Sequence, residues 1–195
     1  MRGAPLLAGL ALLPLGWAAA GEGSMTGHMA GHMIAVVIAA PLIAWGVGGT
    51  WLDPAVRWPA IVAPLAMSVA ELGVVWTWHL PGPRALAHVH PAAFVLEQAM
   101  FLGVGFLLWA AVLGAGAPRR AAGVGALLLT SMHMTLLGAL LGLAPRPLYP
   151  AMAAHAADPL ADQQMAGVVM LLVGAGSYLV GGLAMLGTIL REGEA

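Results

Sequence analysis

Apolar residues fall along this chain in blocks of roughly twenty, about the length of helix that crosses the hydrocarbon core of a bilayer. Five of these blocks read as transmembrane helices, over approximately 33–51, 58–78, 92–113, 121–143 and 165–190. Helix-breaking stretches part them: Asp53-Pro54, Leu80-Pro81-Gly82-Pro83, and the run from Gly114 to Pro118. Tryptophans cluster near the expected ends, as interfacial anchors do. An earlier block fills residues 1–20, with Arg2, an apolar run over 5–17, and Ala18-Ala19-Ala20. That is the three-part pattern of a secretory signal with cleavage after Ala20, and a retained first span is the competing reading. The expected architecture is all-α: residues 1–20 as signal or signal-anchor, then a single transmembrane helical domain over 21–195 with about five spans.

Composition agrees with a membrane protein. The chain of 195 residues is 61% hydrophobic and 8% charged, with a mean hydropathy of +0.93. A net charge of −1 offers no basic footprint for nucleic acid. Cysteine is absent, which excludes disulfides, thiolate metal sites and cysteine nucleophiles together. Twelve methionines and seven histidines remain as soft metal-capable groups. If residue 21 emerges on the outer side, Arg57, Arg119, Arg120 and Arg191 fall inside and Arg84 and Arg146 outside, in keeping with the positive-inside rule. His28, His32, His79, His88, His90 and His155 then lie on or near the outer face, and His133 alone lies deep. In a bacterium this is a multi-pass inner (plasma) membrane protein whose ligand-rich face meets the periplasm.

The stretch Met25-Thr26-Gly27-His28-Met29-Ala30-Gly31-His32-Met33 carries the candidate chemistry. Its imidazoles and thioethers recur three and four residues apart, so on a helix they share one face. Together they suit copper, above all Cu(I); the competing reading is an interfacial helix end with methionine as packing. Gly27 and Gly31 form a small-xxx-small step for close helix approach. Glu71 lies about 12 Å inward of His79, Glu97 about 9 Å inward of Pro91, and His133 about 16 Å below Leu143. Three ionisable groups at similar depth point to a buried polar cavity, with His133 as ligand or proton partner, or to a packing network of the same residues. At most one of Met132 and Met134 can face an ion together with His133. Pro81 sets His79 at a helix end. Asp158-Pro159 reads as a helix N-cap followed by proline, and the first turns of that helix project outward with Asp162, Gln163 and Gln164.

These motifs in order — His28-Met29-x-x-His32-Met33, Trp78-His79-Leu80-Pro81, Leu96-Glu97, and Tyr149-Pro150 followed by Asp162-Gln163-Gln164-x-x-Gly167 — are similar to those of the multi-span CtaG family of cytochrome c oxidase assembly proteins, associated with caa-type oxidases. Where that family carries a Glu-His pair, this chain reads Glu97-Gln98. The resemblance implies a membrane protein that helps mature the oxidase by handling copper, and it points to His28, Met29, His32, Met33, His79, Glu97, Asp162 and Gln163.

The resulting expectation is a copper-binding assembly factor rather than an enzyme. Met25, Met29, Met33, His28, His32, His79 and His133 are its candidate ligands, with capture at the outer surface, and Glu71, Glu97, Asp162 and Gln163 form the polar surroundings. Its partners would be oxidase subunits or periplasmic copper chaperones, the lipid bilayer, and a second copy in a homo-oligomer. The rivals are a copper transporter, a haem-binding electron carrier with His133 as axial ligand, and an intramembrane metalloenzyme. The last lacks a His-Glu-x-x-His helix.

Overall fold

The computed structural model describes residues 3–153 and 156–193, so His155 lies outside the described residues. No strand occurs among them, and six helical rods pack side by side. The first is α1 (Gly3–Ala20). The second is a single rod of α2 (Met25–Met33), a π-turn (Ile34–Ala39) and α3 (Ala40–Val47). A short helix α4 (Pro54–Arg57) leads to α5 (Pro64–Trp78), then α6 (Pro81–Val89) and α7 (Pro91–Leu113). A 3-10 turn precedes α8 (Arg120–Gly142). The short α9 (Pro150–Ala153) is followed by the last rod, which joins α10 (Pro159–Val169), a π-turn (Met170–Ala175) and α11 (Gly176–Gly193).

Among the described residues five helices are long and apolar enough to cross a membrane: 3–20, 25–47, 91–113, 120–142 and 159–192. They are not the same five that the hydropathy blocks predict. The 58–78 block yields only 15 helical residues, because Pro59 and Pro64 hold its lead-in as a turn. In its place α1 joins the set and packs along α2 and α3. The packing depends on glycine. A Cβ on Gly31 would run into the Gly16 carbonyl oxygen and the Ala20 backbone, and one on Gly46 into the backbone of Leu6. The small-xxx-small step of α2 thus faces α1.

Helix α2 begins eight residues earlier than the 33–51 block predicts, and the reason is capping. The Ser24 hydroxyl accepts from Gly27 N–H at 2.9 Å. The Asp162 carboxylate accepts from Met25 N–H at 2.7 Å and Thr26 N–H at 3.1 Å, from 137 and 136 residues away. Asp158 caps α10 as its sequence predicts, accepting from Leu160 and Ala161 N–H at 3.1 and 3.0 Å.

The π-turn after α2 sits where Pro41 lacks an N–H. Ala40 N–H reaches back to the Ala35 carbonyl, which releases the carbonyl of Val36. A freed carbonyl at membrane depth needs a donor. Trp109 Nε1 supplies it at 3.0 Å, with the Tyr178 hydroxyl 3.4 Å away. Trp109 therefore stacks on Tyr178 inside the bundle, ring centroids 5.6 Å apart, rather than anchoring at an interface. Trp78 is likewise buried, its Nε1 donating to Met100 Sδ at 3.4 Å. Trp45, Trp51 and Trp58 are exposed, as anchors should be.

Chain direction places the start of α2, the end of α5, α6 and the starts of α7 and α10 at one end of the bundle. Arg57, Arg119, Arg120 and Arg191 lie at the other. There Arg120 pairs with Glu192, and Arg119 Nη1 donates to the Pro59 carbonyl at 2.7 Å.

Candidate metal site

Histidines from two elements meet at the first of these ends. His28 and His32, one turn apart on α2, are both completely buried, and His79, just beyond the last residue of α5, is nearly so. The stripe of α2 is therefore enclosed by the bundle, not displayed at its surface as its place at the head of an apolar run suggests. The His79 ring centroid lies 5.5 Å from that of His28 and 5.4 Å from that of His32. Phe101 of α7 is the platform beneath them. Its ring stacks on His32 at 4.0 Å and an 11° tilt, and lies 6.0 Å from both His28 and His79.

The hydrogen bonds decide which ring nitrogens are free. His79 Nδ1 lies 2.7 Å from the Val75 carbonyl, which can only accept, so Nδ1 carries the proton. Its Nε2 is left with a bare lone pair and no partner among the described residues. A ring held through one nitrogen by a backbone carbonyl is how metal-binding imidazoles are commonly oriented. The Tyr149 hydroxyl donates to the His79 carbonyl at 2.7 Å and pins the residue from the other side. Burial lowers the His79 pKa to about 4, partly offset by the Val75 bond, so the imidazole is neutral near pH 7. Both ring nitrogens of His32 are buried without a partner among the described residues.

His28 differs. Arg84 of α6, itself buried, points Nη1 at His28 Nδ1 from 2.6 Å and at Glu97 Oε1 from 2.5 Å. Arginine only donates, so His28 Nδ1 accepts and its ring proton sits on Nε2. Neither nitrogen of His28 then offers a lone pair to an ion. Gln98 Nε2 completes the group by donating to Glu97 Oε2 at 3.2 Å. Gln98 thus supports Glu97 and is not turned toward the histidines as a donor.

The remaining predicted residues separate into distinct places. Glu71 hydrogen-bonds Tyr178 at 2.7 Å and Thr130 at 3.2 Å, and Thr130 pairs with Ser68 at 2.8 Å. Glu97 belongs to Arg84. The single polar cavity expected from Glu71, Glu97 and His133 therefore resolves into two networks, and the ring nitrogens of His133 bond to neither. Met25, Met29 and Met33 are buried in the main core with Met134, and Met132 is exposed. Met33 and Met134 bring their sulfurs to the gap left by Gly174. Asp162 reaches the α2 stripe, as a role there requires, but engages its backbone as a cap, a bond type worth about 0.5–2 kcal/mol. Gln163 ties down the loop before α9, its Oε1 accepting from Leu148 N–H at 2.6 Å. His90 is exposed.

Three imidazoles bound to one ion through nitrogen at about 2 Å have centroids about 5 Å apart. The His79 spacings to His28 and His32 match this. Among the described residues, however, no three His, Asp or Glu side chains already converge as a metal-binding group. Arg84 occupies His28 Nδ1, so that nitrogen is not among the free donors. Sequence reasoning missed Arg84, counted only as a charge on the outer side, and Phe101, which is hidden in an apolar run. One signal for Arg84 was present: a membrane-buried Glu97 needs a partner, and Arg84 is thirteen residues away.

With this arrangement in hand, comparison with known proteins places the chain. A family model for the cytochrome c oxidase caa3 assembly factor (Caa3_CtaG) matches residues 4–192. The chain belongs to that family. No curated protein and no solved structure matches it. The match begins within α1, so the family pattern includes the helix that packs on the α2 stripe. The buried His28–His32–His79 group is thus a feature of a multi-helix membrane protein of the caa3 assembly-factor family.

Proposed function

We propose that this caa3 assembly factor takes up copper, as Cu(I), among His28, His32 and His79 and releases it to the oxidase. The observation that carries the reading is the pair of buried imidazoles, His32 and His79, whose unpartnered ring nitrogens lie in one group with their rings 5.4 Å apart. A buried polar atom without a partner is costly unless something binds it. Neutral nitrogen donors on a helix that also carries the thioethers of Met25, Met29 and Met33 suit a soft monovalent ion. Nothing in this role makes or breaks a bond in a substrate; the protein acts by holding and yielding an ion. His133 of α8, both of whose ring nitrogens are buried without a partner among the described residues, is a further donor at membrane depth. The arginines at the opposite end support, by the positive-inside rule, a histidine end that faces the periplasm from the plasma membrane.

The test is Cu(I) loading of purified protein under reducing conditions, with bound metal counted against a chromophoric competitor. Wild type is expected to hold copper tightly, and combined His32→Gln and His79→Gln to abolish that binding while the fold, read by circular dichroism, persists. Equal binding by wild type and the double variant would remove the site from the mechanism.

A further inference from the structure

The position between His28 and Glu97 already holds a cation. Arg84 Nη1 stands 2.6 Å from His28 Nδ1 and 2.5 Å from Glu97 Oε1, and the two acceptors are themselves close, with Nδ1 3.8 Å from Glu97 Oε2. While the guanidinium is there, the His28 lone pair is used and a positive charge faces any ion approaching His79 or His32. The guanidinium is also incompletely held. Arginine carries five N–H donors, yet its Nε is buried with no partner among the described residues. Beside it opens a cavity of about 280 Å3, lined by Arg84 together with Ala20, Gly21, Gly23, His88 and Phe94. That volume is large against the ~30 Å3 a water occupies in the liquid.

We propose that Arg84 is a displaceable internal cation that closes the site, and that copper binding drives its guanidinium out of the His28–Glu97 position into the neighbouring cavity. The inference rests on the copper reading above. The exchange balances charge. Glu97 is neutralised by Arg84 in the closed state and offsets the incoming Cu(I) in the open one, with Gln98 Nε2 retained on its second oxygen. Water in the cavity would satisfy the Nε–H that the buried position leaves bare. Once released, His28 Nδ1 turns its lone pair to the ion, and His28 joins His32 and His79 as the third imidazole. The site therefore forms only when an ion is present to displace the guanidinium, so an ion that binds imidazole weakly leaves it closed.

Two measurements on the detergent-purified full chain test this. A like charge within about 4–6 Å shifts an equilibrium by roughly one to three powers of ten. Arg84→Gln is therefore expected to bind Cu(I) on the order of tenfold or more tightly than wild type, and Arg84→Lys, which keeps the charge, to stay near the wild-type value. The second measurement needs no variant. Phenylglyoxal modification of wild type, read by peptide mass spectrometry, is expected to spare Arg84 in the metal-free protein and to label it after Cu(I) loading. The exposed Arg57 serves as the reference that labels in both. Copper bound with Arg84 still protected, or Arg84→Gln binding no more tightly than wild type, overturns the displacement and leaves the copper site standing. No copper bound by wild type or by Arg84→Gln overturns both readings. Binding by Arg84→Gln alone would mean that Arg84 blocks the site without yielding to the ion, and overturns the displacement.

Discussion

Replacing Glu97 by Gln tests whether the pair beneath the histidines is a true buried ion pair. Arg84 is 2% exposed and Glu97 fully buried, and the carboxylate accepts both an Arg84 N–H and a Gln98 N–H. Glu97→Gln keeps the shape but removes the charge that offsets the guanidinium. It also sets an amide donor against the Gln98 amide, although Gln98 Oε1 is without a partner among the described residues and a flip of that amide relieves the clash. What remains is an uncompensated buried cation. Removing one partner of a buried pair typically costs about 3–5 kcal/mol, whereas replacing both with apolar groups is often close to neutral. At about 2–4 °C per kcal/mol for a chain of this size, Glu97→Gln should lower Tm by roughly 6–20 °C. The double change Arg84→Met with Glu97→Leu should lose far less than the sum of its single changes, with a coupling of about 3 kcal/mol. The assay is tryptophan fluorescence on thermal or denaturant unfolding in one detergent across wild type, Glu97→Gln, the two single changes and the double change. A Glu97→Gln protein within about 1 kcal/mol of wild type, or additive single changes, would refute the reasoning.

Acid should destabilise the protein through His79. Its folded pKa, lowered by burial to about 4, lies below the usual 6.5. Its contribution to stability is therefore complete above pH 6.5 and is lost as pH falls from there toward about 4. Denaturation midpoints against pH should show that slope, and His79→Gln should flatten it; an unchanged slope would place the acid sensitivity elsewhere. Gly31→Val should loosen the α1–α2 contact, where a side chain meets the Gly16 and Ala20 backbone, and lower stability by about 1–3 kcal/mol or more; an unchanged Tm would mean that α1 does not pack there. Because α1 fills that contact, intact-mass measurement of protein purified from membranes should find residues 1–20 retained, and a mass beginning at Gly21 would contradict the packing.

The helices were legible where apolar runs are long, as in 91–113 and 120–142, because hydrophobic length is a local property of the chain. Their ends were less so. The start of α2 depends on Asp162, a cap supplied from the last rod, and no window around Met25 contains it. The gathering of His28, His32 and His79 at one end followed from their spacing and from chain direction. Their burial did not, since it is the closing of α1, α6, α7 and α10 around α2 that removes them from solvent. The grouping of Glu71, Glu97 and His133 by depth failed because depth fixes one coordinate only. Which way each side chain turns around its helix is set by partners: Tyr178 for Glu71 and Arg84 for Glu97.

The central claim is that buried imidazoles of this assembly factor hold copper. X-ray absorption at the copper edge of the Cu(I)-loaded protein addresses it directly. The spectrum should carry the multiple-scattering signature of coordinated imidazole, and the protein with His32→Gln and His79→Gln should lose that signal together with its copper. Copper that shows no imidazole coordination, or a spectrum identical in that variant, would contradict the account.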